Sequence, residues 1–366
     1  MLKELCIPTG LDLSNYSGYQ YGSKIGNIDD ILEKGNNYPK IALITEGEDV
    51  ESYHSFRKSL YEMSANFDKG QFVDLGAVKG GSHGITEVVD FLQQKNIFSI
   101  VIGKSDLMPL ALMRAYSTVN KPLHVSLCES RIDYDWQQSD DKKYLLDHLI
   151  PYYPEVLSRL NYLGYQSYFV DDKVLELLEM MHFEAHRIGV LRNNISEVEP
   201  IVRDSDIFGI NLSSISYNDC PATLKVNPNG FMASEACQIV RYAGMSDRLS
   251  CLGIYGYAPL EDHKNLTALL IAQMVWYNVN GLNQRKNEYP LNPVEMTRYE
   301  VTLNVGTIPV AFFKSERSER WWFYVEPTSK TSKLDPERLV SCSYEDYLKT
   351  CSGEIPDRLL NAMGRE

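Results

Sequence analysis

The segment FSIVIG, residues 98–103, decides the fold class of this chain. It is apolar almost throughout, and such near-continuous apolar character, without polar alternation, is typical of a strand buried on both faces of a sheet. Five further runs share this character: KIALIT at 40–45, HVSLC at 124–128, QSYFV at 166–170, IFGINL at 207–212 and CLGIY at 251–255. We therefore predict a sheet that is covered on both sides.

Helical periodicity separates these runs. The predicted helices cover residues 87–95, 108–118, 173–187, 234–243 and 267–280. Alternation of strands and helices at this length indicates parallel strands joined by right-handed crossovers. The sequence thus predicts a three-layer αβα domain with a mostly parallel sheet of about eight strands, whose functional groups gather at the carboxyl ends of the strands.

The two ends of the chain differ from this pattern. Residues 1–35 have little periodicity and are predicted to form an N-terminal arm, which leaves 36–290 as the α/β domain. Residues 291–366 are predicted to form a C-terminal β appendage, a hairpin of antiparallel strands at 299–305, 310–313 and 321–325, followed by a tail with helices at 343–348 and 356–363.

Composition narrows the function classes. The chain has 366 residues, with 36 Lys and Arg against 49 Asp and Glu, a net charge of −13. Such an acidic surface repels phosphate backbones and anionic lipid, so neither nucleic acid nor a membrane is expected as a partner. We find no apolar run of about 20 residues and no signal-peptide pattern at the start, and we expect a cytoplasmic protein. The seven cysteines include no CxxC pair, which favours reduced, mostly buried thiols.

One glycine-rich segment, GGSHGIT at 80–86, resembles the GGDHS-type motif of the ureohydrolases, the arginase/agmatinase/formimidoylglutamase family. In that family the motif follows a buried strand, and its histidine binds one of two manganese ions. Here the segment is predicted to precede a helix that begins at Glu87 and to follow no complete strand. We interpret it as a helix-capping loop.

A second register matches the same family better. GKSD at 103–106 follows a strand and resembles the G-G-D-H loop, ESRID at 129–133 resembles D-A-H-x-D, and GINLS at 209–213 resembles S-F-D-x-D. NDCPA at 218–222 and IYGYAP at 254–259 resemble later family motifs. By their order and spacing, residues 40–285 resemble the ureohydrolases. Segments at 165–170, 228–231, 314–322 and 342–358 are similar to divergent formimidoylglutamase-like proteins of Bacteroidetes.

The resemblance implies hydrolysis of a guanidino or formimidoyl C–N bond by a hydroxide that bridges two Mn²⁺ ions. The positions of the metal ligands are held here by Asp106, Glu129, Arg131, Asp133, Asn211 and Ser213, and Gly256 replaces a carboxylate that orients the substrate. Arg131 cannot be a ligand because its guanidinium keeps its protons. Two divalent ions need several anionic oxygens, and Asn211 and Ser213 supply none. We predict a vestigial metal pocket, without metal or catalytic residues, in which Arg131 faces the remaining carboxylates.

Two hypotheses about function follow. The first is a non-catalytic binding or scaffolding homologue, a homo-oligomer with a possible but unknown protein partner; Trp321, Trp322 and the 24 tyrosines would suit such contacts or, equally, internal packing. The alternative is an active hydrolase that uses a single Mn²⁺ at Asp106, Glu129 and Asp133, with His83 supplied from a neighbouring loop. A pair of histidines, His182 and His186, is predicted to lie on a helix and to be structural or exposed.

Overall fold

The computed structural model of this chain describes residues 1–33, 38–117, 122–137, 142–152, 155–289, 291–303, 308–325 and 338–364. Its strands are β1 (Cys6–Ile7), β2 (Ile41–Glu46), β3 (Phe72–Val78), β4 (Phe98–Ile102), β5 (Leu123–Cys128), β6 (Leu157–Tyr165), β7 (Glu184–Arg187), β8 (Ile207–Asn211), β9 (Cys251–Tyr255), β10 (Met296–Leu303), β11 (Ile308–Ser315), β12 (Trp321–Val325) and β13 (Val340–Cys342). Its helices are α1 (Leu2–Leu5), α2 (Tyr21–Lys24), α3 (Ile28–Glu33), α4 (His54–Glu62), α5 (Gly81–Gln94), α6 (Met108–Arg114), α7 (Leu145–Leu149), α8 (Asp172–Met180), α9 (Ile188–Asn193), α10 (Val198–Arg203), α11 (Ala233–Gly244), α12 (Leu266–Leu282), α13 (Tyr344–Cys351) and α14 (Asp357–Gly364).

The larger sheet has nine strands in the described residues, in the order β1-β3-β2-β4-β9-β8-β5-β6-β7. Every neighbouring pair is parallel except β1 and β3, so the predicted mostly parallel sheet is confirmed. The short antiparallel strand β1 comes from the predicted arm. Gly76 lets it approach β3: φ at Gly76 is 82°, and a Cβ there would lie 1.8 Å from the carbonyl oxygen of Ile7.

Both faces of this sheet are covered by helices, as the apolar strands predict. On β4, Ile100 and Ile102 point to a core that includes residues of α4, α11 and α12, whereas Val101 points to a second core with residues of α5 and α6. The result is the expected three-layer αβα arrangement. None of the described helices combines the length and the apolar character that crossing a bilayer requires.

A separate antiparallel sheet, in the order β10-β11-β12-β13, follows the α/β domain. The predicted strands at 310–313 and 321–325 are part of it; residues 304 and 305 of the predicted strand at 299–305 lie outside the described residues. Trp322 is 2% exposed and lies under the guanidinium of Arg203, whose Nη1 donates to the carbonyl of Trp321 at 2.8 Å. Trp321 and Trp322 therefore pack inside the chain, which favours the internal-packing alternative for this pair.

Three local predictions are wrong. Residues 166–170 form a turn after β6, where the Gln166 side chain donates to the carbonyl of Asn229, and the strand lies before them. The predicted helix at 173–187 ends at Met180, because His182 has φ 55°, which a right-handed helix cannot accommodate; β7 follows. The glycine-rich segment does follow a complete strand, β3, and its helix begins at Gly81.

Candidate functional site

A cavity opens where β4, β5 and β8 end, at the carboxyl edge of the sheet. Parallel strands bring their following loops to one edge, so polar residues distant in the sequence meet there. Six of the seven predicted site residues line this cavity: Asp106, Glu129, Arg131, Asp133, Asn211 and Ser213. Lys143, Tyr144, Tyr162 and Lys225 are among the other lining residues. The structure thus brings together residues that the sequence spreads over 108 positions, from residue 106 to residue 213.

Asn211, the last residue of β8, connects the loops around the cavity. Its Oδ1 accepts the backbone N–H of Ser213 at 3.0 Å. This leaves the amide nitrogen facing the carboxylates, where it donates to Oδ1 of Asp106 at 3.1 Å and lies 3.5 Å from Oε1 of Glu129. An N–H group therefore occupies the space between two carboxylates.

Glu129 is 8% exposed, and the hydroxyl of Tyr255 donates to its Oε1 at 2.7 Å. Burial raises the pKa of Glu129 to about 8; the hydrogen bond from Tyr255 opposes this shift, and the nearby negative charge of Asp106 adds to it. Glu129 is therefore mostly protonated at neutral pH. Its proton removes one negative charge from the cavity.

Lys225 supplies the cation that pairs with a site carboxylate, and sequence reasoning missed it. Its Nζ lies 3.1 Å from Oδ2 of Asp106. Partial burial disfavours the charged amine, but the attraction of Asp106 outweighs it and raises the pKa of Lys225. The one available signal was that Lys225 is the only Lys or Arg in the segment from residue 212 to residue 232, which follows a strand that ends at the site.

Arg131 lines the cavity, but it makes no ion pair with Asp106, Glu129 or Asp133. Its guanidinium carbon lies 3.5 Å from the ring centroid of Phe169, and it makes no ion pair with the described residues. A guanidinium is weakly hydrated and stacks well on an aromatic face. The expectation that Arg131 balances Asp106 is therefore corrected: the ammonium of Lys225 makes that ion pair.

Gly256 supports Asn211 from beside the cavity. Its φ is 79°, and a Cβ at this position would lie 2.5 Å from Oδ1 of Asn211. A side chain here would displace the amide that donates to Asp106. The glycine thus permits the close approach of backbone and amide.

The donor set of the cavity differs from that of a two-metal centre. Within the described residues, no three acidic, imidazole or thiol side chains come close enough to share a metal ion. His83, considered as an additional ligand, is 83% exposed on α5 and pairs with Glu87 at 3.0 Å. His186 lies on β7, 3.3 Å from Glu184. What faces the two carboxylates at the centre of the cavity is an amide donor and an ammonium, where two divalent ions require anionic oxygens and imidazoles.

Comparisons with known proteins identify the fold. No known family pattern and no curated protein sequence matches this chain. Among solved structures, formimidoylglutamase from Bacillus subtilis is similar with a TM-score of 0.62 and 15% identity, over 76% of this chain and 98% of that chain. Formiminoglutamase of Trypanosoma cruzi, solved with Mn²⁺, gives 0.60 and 15% over 68% and 94%. The agmatine ureohydrolase of Thermoplasma volcanium gives 0.56 and 16% over 76% and 97%. The chain therefore has the arginase/ureohydrolase fold.

Proposed function

We propose that this chain is a ureohydrolase-fold protein that has lost the two-metal centre and works by binding or scaffolding, without catalysis and without a metal cofactor. The amide nitrogen of Asn211 carries this proposal. It donates to Asp106 and faces Glu129, so the oxygens that would hold an ion already have a hydrogen-bond donor between them.

Electrostatics supports the same proposal. An ion held by Asp106 would lie close to the ammonium of Lys225, which is 3.1 Å from that carboxylate. Two unit charges of the same sign at about 4 Å repel by roughly 4 kcal/mol at an effective dielectric constant of 20. Because the Lys225 side chain is 47% exposed, solvent screens this repulsion, so the loss of affinity for a cation is only a part of that figure.

Metal content tests this proposal directly. We expect that protein loaded with Mn²⁺ and then desalted retains well under one equivalent by elemental analysis, and that added Mn²⁺ leaves its melting temperature almost unchanged. A variant with Arg131→His, Asn211→Asp, Ser213→Asp and Lys225→Met restores an imidazole and two anionic oxygens and removes both cations. This variant should regain some Mn²⁺ binding. Two tightly held Mn²⁺ per wild-type chain would overturn the proposal.

The proposal includes a cytoplasmic homo-oligomer. All seven cysteines are free thiols and six of them are buried, which suits a reducing compartment. On α12, three apolar side chains, Leu266, Leu269 and Tyr277, are each about 40% exposed, which suits a subunit contact. Light scattering at micromolar concentration should show more than one chain per particle. A monomer would remove the homo-oligomer from the proposal.

Hydrolysis of a formimidoyl, guanidino or related C–N bond is the second candidate function. Its support is that Asp106, Glu129 and Asp133 line one cavity and that the raised pKa of Glu129 suits a general acid. Incubation with formimidoylglutamate, agmatine or arginine, with and without Mn²⁺, should release no formamide or urea if the chain is non-catalytic. Turnover that Asp133→Ala abolishes would favour the hydrolase instead.

A further inference from the structure

A second, larger cavity opens at the same edge of the sheet, beside the ends of β2, β4 and β9. Its volume is about 860 Å³. Four carboxylate residues line it, Glu46, Glu48, Asp49 and Glu261, against one cation, Lys104. Within the described part of the chain, none of the four carboxylates makes an ion pair. The cavity therefore has an uncompensated negative charge.

A largely buried tyrosine also lines this cavity. Tyr53 is 5% exposed, its ring contacts Tyr257 edge to face, and it lines the cavity wall. Its hydroxyl makes no hydrogen bond with any residue that the structure describes, so it is open to a donor from the cavity. Burial and the negative charge of Glu46 raise the pKa of Tyr53, so the hydroxyl stays neutral and can accept a hydrogen bond.

The position of Glu46 is held by the backbone. Its Oε2 accepts the N–H groups of Lys104 and Ser105 at 2.8 and 2.9 Å, which ties the end of β2 to the loop after β4. Its Oε1 accepts no hydrogen bond from the described residues. A fixed carboxylate with one free oxygen, near a hydroxyl that lacks a partner, forms a prepared acceptor pair for a cationic donor.

The arrangement indicates an organic cation and not a metal ion. No three acidic side chains of the described residues converge closely enough to hold one ion, so these carboxylates surround a wide space. Apolar side chains share the wall: Leu224 is 43% exposed and Leu260 is 80% exposed. A protonated amine has up to three N–H donors for the carboxylates, and an aliphatic chain would cover the apolar surface.

We propose that this cavity binds a small aliphatic amine, whose ammonium group donates to the hydroxyl of Tyr53 and the free oxygen of Glu46 while its chain lies against Leu224 and Leu260. The exposed Glu48 and Glu261 attract the cation and favour a second ammonium group. This site does not depend on the function proposed above for the neighbouring cavity.

Isothermal titration of the full chain with 1,5-diaminopentane at pH 7 and low salt tests this proposal. We expect saturable binding with one diamine per chain and none for 1,5-pentanediol, which has the same length but no charge. Absence of diamine binding, or equal binding of the diol, would overturn the proposal. A lysine-containing tripeptide with blocked ends is the third probe; binding of this peptide alone would also overturn the proposal, because the site would then recognise a protein side chain.

Variants separate this site from general attraction of cations to an acidic protein. Tyr53→Phe removes only the hydroxyl and should weaken diamine binding about tenfold, the effect of one hydrogen bond to a charged group. Glu48→Gln with Glu261→Gln should weaken it about threefold at low salt and have little effect at 0.5 M salt. The matched control, Glu176→Gln with Glu179→Gln on α8, removes the same charge elsewhere and should leave binding unchanged. Unaltered binding by Tyr53→Phe, or an equal loss in the control, would overturn the proposal.

Discussion

The amide nitrogen of Asn211 donates to Oδ1 of Asp106 at 3.1 Å, and this bond joins the ends of two strands that are not neighbours. Asn211 ends β8 and Asp106 follows β4, with β9 between them in the sheet. The bond therefore links two sides of the cavity across the intervening strand β9. It also fixes the orientation of the amide, because the other end of Asn211 accepts the N–H of Ser213.

Asn211→Asp should destabilise the protein. The substitution replaces an N–H donor by a carboxylate oxygen beside Asp106 and Glu129, so a hydrogen bond becomes a repulsion. We expect a loss of about 1–3 kcal/mol in the free energy of unfolding at pH 8, measured by urea denaturation. The loss should be smaller at pH 5, where carboxyl groups gain protons more readily. Asn218→Asp, at an exposed loop position, is the control and should change stability little. Equal stability of both variants would contradict the bonding described here.

Glu129 should make stability depend on pH between about 4.5 and 8. Its pKa is 4.5 in its ordinary environment and about 8 in the folded chain, so between these values the folded state holds a proton that the unfolded state releases. The contribution of this group to stability is present below pH 4.5 and is lost as the pH rises through 8, by up to about 1.4 kcal/mol per pH unit.

Glu129→Gln isolates this effect because glutamine keeps an acceptor for Tyr255 but cannot ionise. Relative to the wild type, the variant should gain stability as the pH rises from 5 to 8.5, in urea denaturation at each pH. If the two proteins lose stability in parallel over this range, the pKa of Glu129 is not raised in the folded chain.

Lys225→Met should raise the pKa of Glu129 further, because the ammonium of Lys225 favours the ionised carboxyl. The effect on stability should be small, at most about 1 kcal/mol, since the Lys225 side chain is 47% exposed and the ion pair is screened by solvent. Carbon-13 NMR of the glutamate carboxyl signals over a pH titration measures the shift. Lys173→Met, at an exposed position on α8, is the control and should leave the pKa of Glu129 unchanged.

Gly256→Ala should lower the free energy of unfolding more than the same substitution at another glycine with positive φ. At Gly256 the added Cβ meets both an unfavourable φ of 79° and Oδ1 of Asn211 at 2.5 Å, whereas Gly353, with φ 91°, has open space around it. Gly353→Ala therefore measures the backbone strain alone, about 1 kcal/mol or somewhat more. We expect Gly256→Ala to lose at least about 1 kcal/mol beyond that in urea denaturation. Equal losses would show that Asn211 moves aside freely.

The pattern of apolar residues is enough to predict the sheet and the place where polar groups collect. A strand buried on both faces must be apolar throughout, a local property that FSIVIG at 98–103 and CLGIY at 251–255 display. The loops after parallel strands meet at one edge, so the residues after β4 and β5 and at the end of β8 could be assigned to one cavity before any coordinates. Edge elements were harder to predict: residues 184–187 were assigned to the predicted helix at 173–187, and only pairing with β6 makes them a strand.

The charges inside the cavity, in contrast, depend on how the folded chain brings distant residues together. Which cation approaches Asp106 depends on the path of the loop between β8 and α11, which brings Lys225 to that carboxylate, while Phe169 holds Arg131 against the wall. The protonation of Glu129 depends on its burial by segments that are distant in the sequence. Whether the hydroxyl of Tyr53 has a hydrogen-bond partner depends on the side chains around it. Electrostatic and hydrogen-bond energies change over a few ångströms, and such distances between residues far apart in the chain exist only once the chain has folded.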